Sequence, residues 1–316
     1  VRVFLYQIID MKSRYSKLIF FALILLALSG VFTSPLALIA GFLFNLFFKT
    51  PYRQQQHLAI NYLLKFAVIG LGFGMFISET IATGSKGFSL TLSTIVLTVF
   101  LGFILTKYLK IDLRLGHLIT SGTAICGGSA IAAISPAIKA NAKTISVSLT
   151  IVFMLNAMAL FIFPVLGHAF HLSQEQFGIW CAVAIHDTSS VVGAALQYGE
   201  EALKIATTVK LTRTLWIIPM AVFSMFYFKT KNERVRIPYF IIFFVLAILA
   251  HSYHLLPESW AEGLVLLSKR LLLVSLLLIG INISLKDFKT IGLKPVALAL
   301  VLWIFIATFS LLFILY

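Results

Sequence analysis

An all-α polytopic membrane protein of about 11 transmembrane helices, two of them discontinuous, is the expected fold of this chain. Three observations carry that expectation. Hydrophobic residues fill 60% of the 316 positions and charged residues 11%, against about 25% charged in a soluble protein. Apolar runs of about 17–25 residues, the length that crosses a bilayer, recur from end to end. Two of these runs are interrupted midway by small, polar or charged residues: AICGGSAIAAISP from Ala124 and AIHDTSSVVGAA from Ala184.

The spans are expected near 18–32, 35–48, 58–78, 90–106, 116–138, 145–167, 176–198, 205–228, 237–256, 264–284 and 295–315. The first follows Arg2, Lys12, Arg14 and Lys17 and ends in small residues. That pattern resembles a signal peptide, but in a polytopic chain an uncleaved first helix is the better reading. The second run is short for a span. Within one integral membrane domain, residues 1–34 read as an extra N-terminal helix, and 35–170 and 171–316 as two repeat-like halves.

The formal net charge is +14. Its cations fall in short clusters between apolar runs, with no basic stripe interleaved with aromatics, so the partner is the lipid bilayer and no nucleic acid is expected. Clusters at Arg2–Lys17, Lys49/Arg53, Lys107–Arg114, Lys229–Arg236 and Lys286–Lys294 alternate with loops carrying only Lys86, Lys139, Lys143 and Lys204. By the positive-inside rule the N-terminus is cytoplasmic and the C-terminus outside. Lys65 and Lys269 lie five to seven residues inside helix ends, where a long side chain snorkels.

The chain carries no P-loop, no G-x-S-x-G elbow and no H-E-x-x-H helix. Neither an enzyme nor a bound cofactor is expected. Cys126 and Cys181 fall within apolar runs, without a disulfide framework or metal-ligand spacing. His168 and His171 read as marking a helix end. Asn156 and Asn282 read as interhelical hydrogen-bonding residues.

A 60-residue shift superposes Ala124-Ile125 on Ala184-Ile185, Ser129 on Ser189 and Ile145 on Ile205. A second echo joins GMFIS, from Gly74, to GINIS, from Gly280. One implies a parallel and the other an inverted repeat, and no simple repeat contains both.

In hydrocarbon an unsatisfied backbone group costs several kcal/mol, so broken helices persist only inside protein or along a cavity. Paired breaks near the bilayer midplane are a common transporter substrate site. In the first break Gly127 and Gly128 release the backbone, and Ser129 is placed to cap the half-helix beginning there. Such an N-terminus is an anion site. Gly-Gly alone equally permits close helix packing; Pro136 favours a real discontinuity.

The second break sets His186, Asp187, Thr188, Ser189 and Ser190 in mid-membrane. A carboxylate there costs about 2.5–3.5 kcal/mol on the mildest scale. Asp187 or Thr188 is positioned to start the second half-helix. The alternative is a buried Asp187–Arg213 ion pair that locks the fold. Lys210 and Arg213, three residues apart, share a helix face, either as a cationic wall toward a cavity or snorkelling to the interface.

Three motifs resemble those of the YeiH-like sulfate exporter family: GTAICGGSAIAAISPAIKA from Gly122, AIHDTSSVVGAALQYGEEAL from Ala184, and TVKLTRTLWIIP from Thr208. The similarity runs from about Gly70 onward. It implies a multi-pass protein of the bacterial inner membrane, related to bile-acid symporters and sodium/proton antiporters. It also implies an inverted-repeat transporter fold with scaffold and core domains, and a homodimer, as relatives with scaffold domains often form.

The function expected is secondary active transport of a small anion, sulfate or an organic sulfonate, by alternating access. Gly127, Gly128, Ser129, Thr188, Ser189, Ser190, Lys210 and Arg213 would bind the substrate. His186 and Asp187 would couple transport to protons or sodium, histidine's usual pKa suiting a proton role. The alternative is an anion channel or gated pore. The clustering of polar residues at one depth favours the transporter.

Overall fold

Helices account for all the regular structure among the described residues of the computed structural model, which are 2–48, 50–230, 239–282 and 292–315. In chain order they are α1 (Arg2–Ser29), α2 (Ser34–Phe47), α3 (Arg53–Leu71), α4 (Ile77–Lys86), α5 (Phe88–Tyr108), α6 (Leu113–Ala124), α7 (Gly128–Ala137) and α8 (Ala142–Ala169). There follow α9 (Gln174–Ala184), α10 (Thr188–Tyr198), α11 (Glu200–Thr214), α12 (Ile217–Tyr227), α13 (Phe240–Ser252), α14 (Glu258–Asn282) and α15 (Leu293–Leu315). The cations expected at Lys49, Lys231, Arg234, Arg236, Lys286 and Lys289, and the end of the GINIS echo, lie outside the described residues.

Among the described residues, five helices are long and apolar enough to cross a membrane: Phe88–Tyr108, Lys143–Ala169, Glu200–Tyr227, Glu258–Asn282 and Leu293–Leu315. The number is six when the bent pair Leu58–Gly74 and Ile77–Thr83 is taken as one span. That is fewer than the eleven apolar runs, for a physical reason. The interrupted runs are split into half-helices of 12 and 10 residues and of 11 and 11. None of these alone reaches the roughly 20 residues a span needs. At 14 residues α2 is short as well.

The chain divides into two compact units, each made of two separate stretches of the sequence. The first comprises Val1–Met75 and Ile242–Ser284. Here α1, α2 and α3 pack on α14. Glycines let two backbones touch: a Cβ on Gly41 would lie 2.1 Å from the Leu277 carbonyl, and one on Gly280 2.2 Å from that of Leu38. Small residues serve helix association in membranes in this way. Asn282 Nδ2 donates to Gln56 Oε1 at 2.8 Å, so Asn282 does join two helices. Lys65 is exposed, its ammonium 5.7 Å from the Tyr62 ring centroid.

The second unit comprises Phe76–Ile241 and Leu285–Tyr316. Asp112 starts α6 by accepting from the Leu115 amide at 3.0 Å, and Asn141 starts α8 through the Thr144 amide at 2.8 Å. Ser173 and Gln176 form a reciprocal capping box on α9. His168 falls in the last turn of α8, the helix end expected there. Against these helices lies α15, packed on α5, α6 and α9. A core of Leu118, Ile125, Ile131, Ile134, Val152 and Ile217 surrounds the first break.

Candidate functional site: two helix breaks bridged by buried cations

Both interruptions are non-helical, and they meet. The half-helix α6 ends at Ala124 and α7 begins at Gly128; α9 ends at Ala184 and α10 begins at Thr188. The two ends, and likewise the two starts, stand 60 residues apart, so the faint parallel echo marks equivalent breaks. A Cβ built on Gly127 would lie 3.3 Å from the His186 carbonyl carbon and 3.4 Å from Asp187 Cβ. The breaks are therefore in van der Waals contact.

Each break must satisfy the last carbonyls of its first half-helix, which have no intrahelical donor. The cations of α11 do this. Lys210 Nζ donates to Ile125 O at 3.1 Å in the first break, and to Ala182 O at 3.2 Å and Ile185 O at 2.7 Å in the second. Arg213 Nε donates to Ala124 O at 3.0 Å and Ile125 O at 3.2 Å, and Nη2 to Ala124 O at 2.5 Å. Its Nη1 reaches Thr94 Oγ1 at 3.1 Å. Both residues are 0% exposed, so neither snorkels. Positive charge at helix C-termini also complements the helix dipole.

The N-terminal ends of the second half-helices differ from each other. Asp187 is the N-cap of α10: its Oδ1 accepts from the Ser190 amide at 3.2 Å and its Oδ2 from the Ser189 hydroxyl. The anticipated Asp187–Arg213 pair is not how these donors and acceptors are used. Arg213 instead serves the first break, because the carbonyls of Ala124 and Ile125 need its fork of donors. At α7 the N-cap is Gly127, at φ +61° and ψ −121°, without a side-chain cap. Ser129 does not cap α7 as expected; it is an exposed residue of the first turn, since the left-handed φ of Gly127 lets the helix begin a residue earlier. Pro136 lies in the last turn of α7, and the discontinuity is at 125–127.

The ten anticipated residues thus sort into three groups. Lys210 and Arg213 are buried against carbonyls. Gly127, His186, Asp187, Ser189 and Ser190 form the buried contact between the breaks. Gly128 and Thr188, both half-buried, and exposed Ser129 mark its open side. The His186 amide donates to Asn156 Oδ1 at 3.0 Å. Its ring stands edge-on to Trp303, centroids 6.4 Å apart, and neither ring nitrogen has a partner among the described residues.

Sequence reasoning missed two residues: Thr94 receives Arg213, and Trp303 Nε1 donates to Ala184 O at 3.1 Å. Asn156, read as an interhelical hydrogen-bonding residue, does hold the backbone of the second break from α8. Trp303 is separated from its partner by 119 residues and carried no signal.

These features define a helical membrane protein built around two interrupted helices. Comparison with known proteins places it in a family: residues 18–299 match the family model described as Conserved hypothetical protein 698, and the chain belongs to that family. It is 48% identical over 300 residues to a UPF0324 membrane protein of Photobacterium profundum, covering 95% of this chain and 92% of that one. Namesakes in Bacteroides thetaiotaomicron and Shewanella oneidensis are each 46% identical, over 293 and 302 residues. Those alignments cover 91% and 95% of this chain, and 88% and 95% of the relatives. No solved structure matches the chain.

Proposed function

We propose that this protein is a secondary transporter of a small anion, of the sulfate or organic sulfonate class, working by alternating access in the bacterial inner membrane. One observation carries the reading. At equivalent places in the two breaks, α10 has the Asp187 carboxylate on its first turn and α7 has glycine and nothing. The first-turn N–H groups of α7 thus offer an anion the place that Asp187 fills on α10. Two buried cations stand against one buried carboxylate at the crossing, which favours negative charge there. Gly128, Ser129 and Thr188 would touch the anion first. Lys210 and Arg213 would act on it by charge, their donors being taken by carbonyls. His186 and Asp187 would carry the coupling proton or sodium.

The division into two units suits a scaffold and a moving core, and a homodimer fits that plan. Transport, without bond chemistry or a cofactor, is the proposed activity. A thermal-shift screen of purified protein tests it, using sulfate, sulfite, sulfonates and carboxylates at two pH values, with and without sodium. A bound anion at 100 times its Kd stabilises by about 2.7 kcal/mol. Stabilisation by sodium alone, with no anion effective at either pH, would overturn the reading. Counterflow in proteoliposomes separates it from the alternative: uptake stimulated by internal substrate excludes a simple anion channel.

A further inference from the structure

The seam between α5 and α6 contains more buried polar atoms than its hydrogen bonds use. Its register is fixed by two close approaches. The hydroxyl and methyl of Thr106 lie 2.3 Å from where Gly116 would carry a Cβ, and those of Thr120 lie 2.3 Å from the same place on Gly102. One helical turn further this antiparallel register sets Thr98 level with Thr123 and Ala124. The next level is that of Thr94 and the Arg213 guanidinium bonded to it.

Thr94 and Thr106 bond back to carbonyls of their own helix, as hydroxyls in membrane helices commonly do. The hydroxyls of Thr98, Thr120, Ser121 and Thr123 do not: all are buried and have no partner among the described residues. Thr91, a turn beyond Thr94, is bare as well. At the other end stands His117, 2% exposed, its ring between Phe103 and Phe228 at centroid distances of 5.5 and 5.1 Å. Ser224 gives its single hydroxyl hydrogen to Met220 O at 2.6 Å, so in the 2.7 Å contact with His117 it is Nε2 that donates. The Nδ1 of His117 is then a bare acceptor inside the protein.

Native proteins leave few buried polar atoms without a partner, and polar cavities are filled by water with two to four partners each. Five such atoms follow one another along α6 and its neighbour over about 10 Å, at 1.5 Å per residue from His117 to Ala124. We propose that the α5–α6 seam holds a file of bound water molecules running from His117 Nδ1 to the Arg213 guanidinium. The ligand is water. The file solvates the buried charge of Arg213. It deepens the proposed function by hydrating one flank of the crossing, yet its presence is independent of any anion.

Hydroxyl-radical footprinting of the full chain in detergent, without added substrate, tests the proposal, because radiolysis of bound water labels the side chains touching it. His117 is the reporter, exposed Tyr108 the positive control, and Phe44, buried among apolar side chains of the first unit, the negative one. His117 is expected to be labelled at a rate near that of Tyr108 and well above that of Phe44. In the triple variant Thr98→Val, Thr120→Val, Thr123→Val its labelling should fall several-fold, with the shape of the seam kept. Unlabelled His117 in the wild type overturns the proposal. So does labelling that survives the three substitutions, which would mean that water arrives by another route. Should the triple variant not fold, Thr98→Val against the hydroxyl-retaining Thr98→Ser makes the same comparison: equal labelling refutes the file, and a selective loss in Thr98→Val supports it.

Discussion

Lys210 donates to the carbonyl of Ile185 at 2.7 Å, the shortest of three bonds that one ammonium makes to the ends of two different helices. All three protons are used. A residue that reads as a ligand for substrate is thus first a cap for backbone.

Lys210→Met should therefore destabilise the protein before it alters any binding. Three buried carbonyls lose a charged donor, and the loss is on the order of 3 kcal/mol or more. Thermal unfolding without added anion measures it. An unchanged midpoint would return Lys210 to a purely ligand-facing role.

Arg213→Lys is not a conservative change at this position. A single ammonium cannot reproduce a fork that reaches Ala124, Ile125 and Thr94 together. A loss of about 1.5–3 kcal/mol is expected, with Thr94→Val costing about 1 kcal/mol by removing one acceptor. The two effects should fall short of additivity in the double variant, since they share a bond.

Asp187→Asn separates charge from geometry. Asparagine caps a helix as well as aspartate does, so the fold should be kept. Exchange of anion for anion should persist in proteoliposomes, while net transport driven by a pH gradient should vanish. Loss of both activities in a folded variant would mark Asp187 as structural. Dependence on sodium that ignores pH would point instead to a cation site at Asp187, Thr188 and Ser189.

Gly127→Ala should cost roughly 1–3 kcal/mol, because no L side chain accepts φ +61° with ψ −121° without strain. Its methyl would also press within 3.2 Å of Val152. Anion-induced stabilisation should fall with it, since strain at Gly127 displaces the first-turn N–H groups of α7 assigned to substrate. Gly280→Ala provides the contrast. It forces apart α2 and α14 in the other unit, and should lower the melting temperature while leaving the anion-induced shift in place.

The breaks were legible because they offend against the surrounding sequence. Gly127-Gly128 and His186-Asp187-Thr188 stand out in apolar runs, and the 60-residue echo put equivalent ends at Ala124 and Ala184. That Arg213 is buried was legible from the expense of placing it in lipid. Its partners were not: a backbone carbonyl has no residue type to betray it, whereas Asp187 advertised itself as the obvious counter-charge. The span count differs for a related reason. Each interrupted run, α6 with α7 and α9 with α10, counts as one discontinuous crossing in the sequence and as two short helices in the structure. The threonines of α5 passed unremarked because a hydroxyl on an apolar helix is ordinarily silent, bonded to its own preceding turn.

A single ammonium shared between both breaks also restricts how the molecule can move. Were either broken helix to swing alone, Lys210 would have to abandon carbonyls on one side and leave them without a donor inside the protein. The two interruptions are therefore yoked, and any excursion of the crossing carries both along with α11 as one cargo. Flexibility must then reside at the margins of this assembly, in the segments that tether it, and not in the breaks themselves.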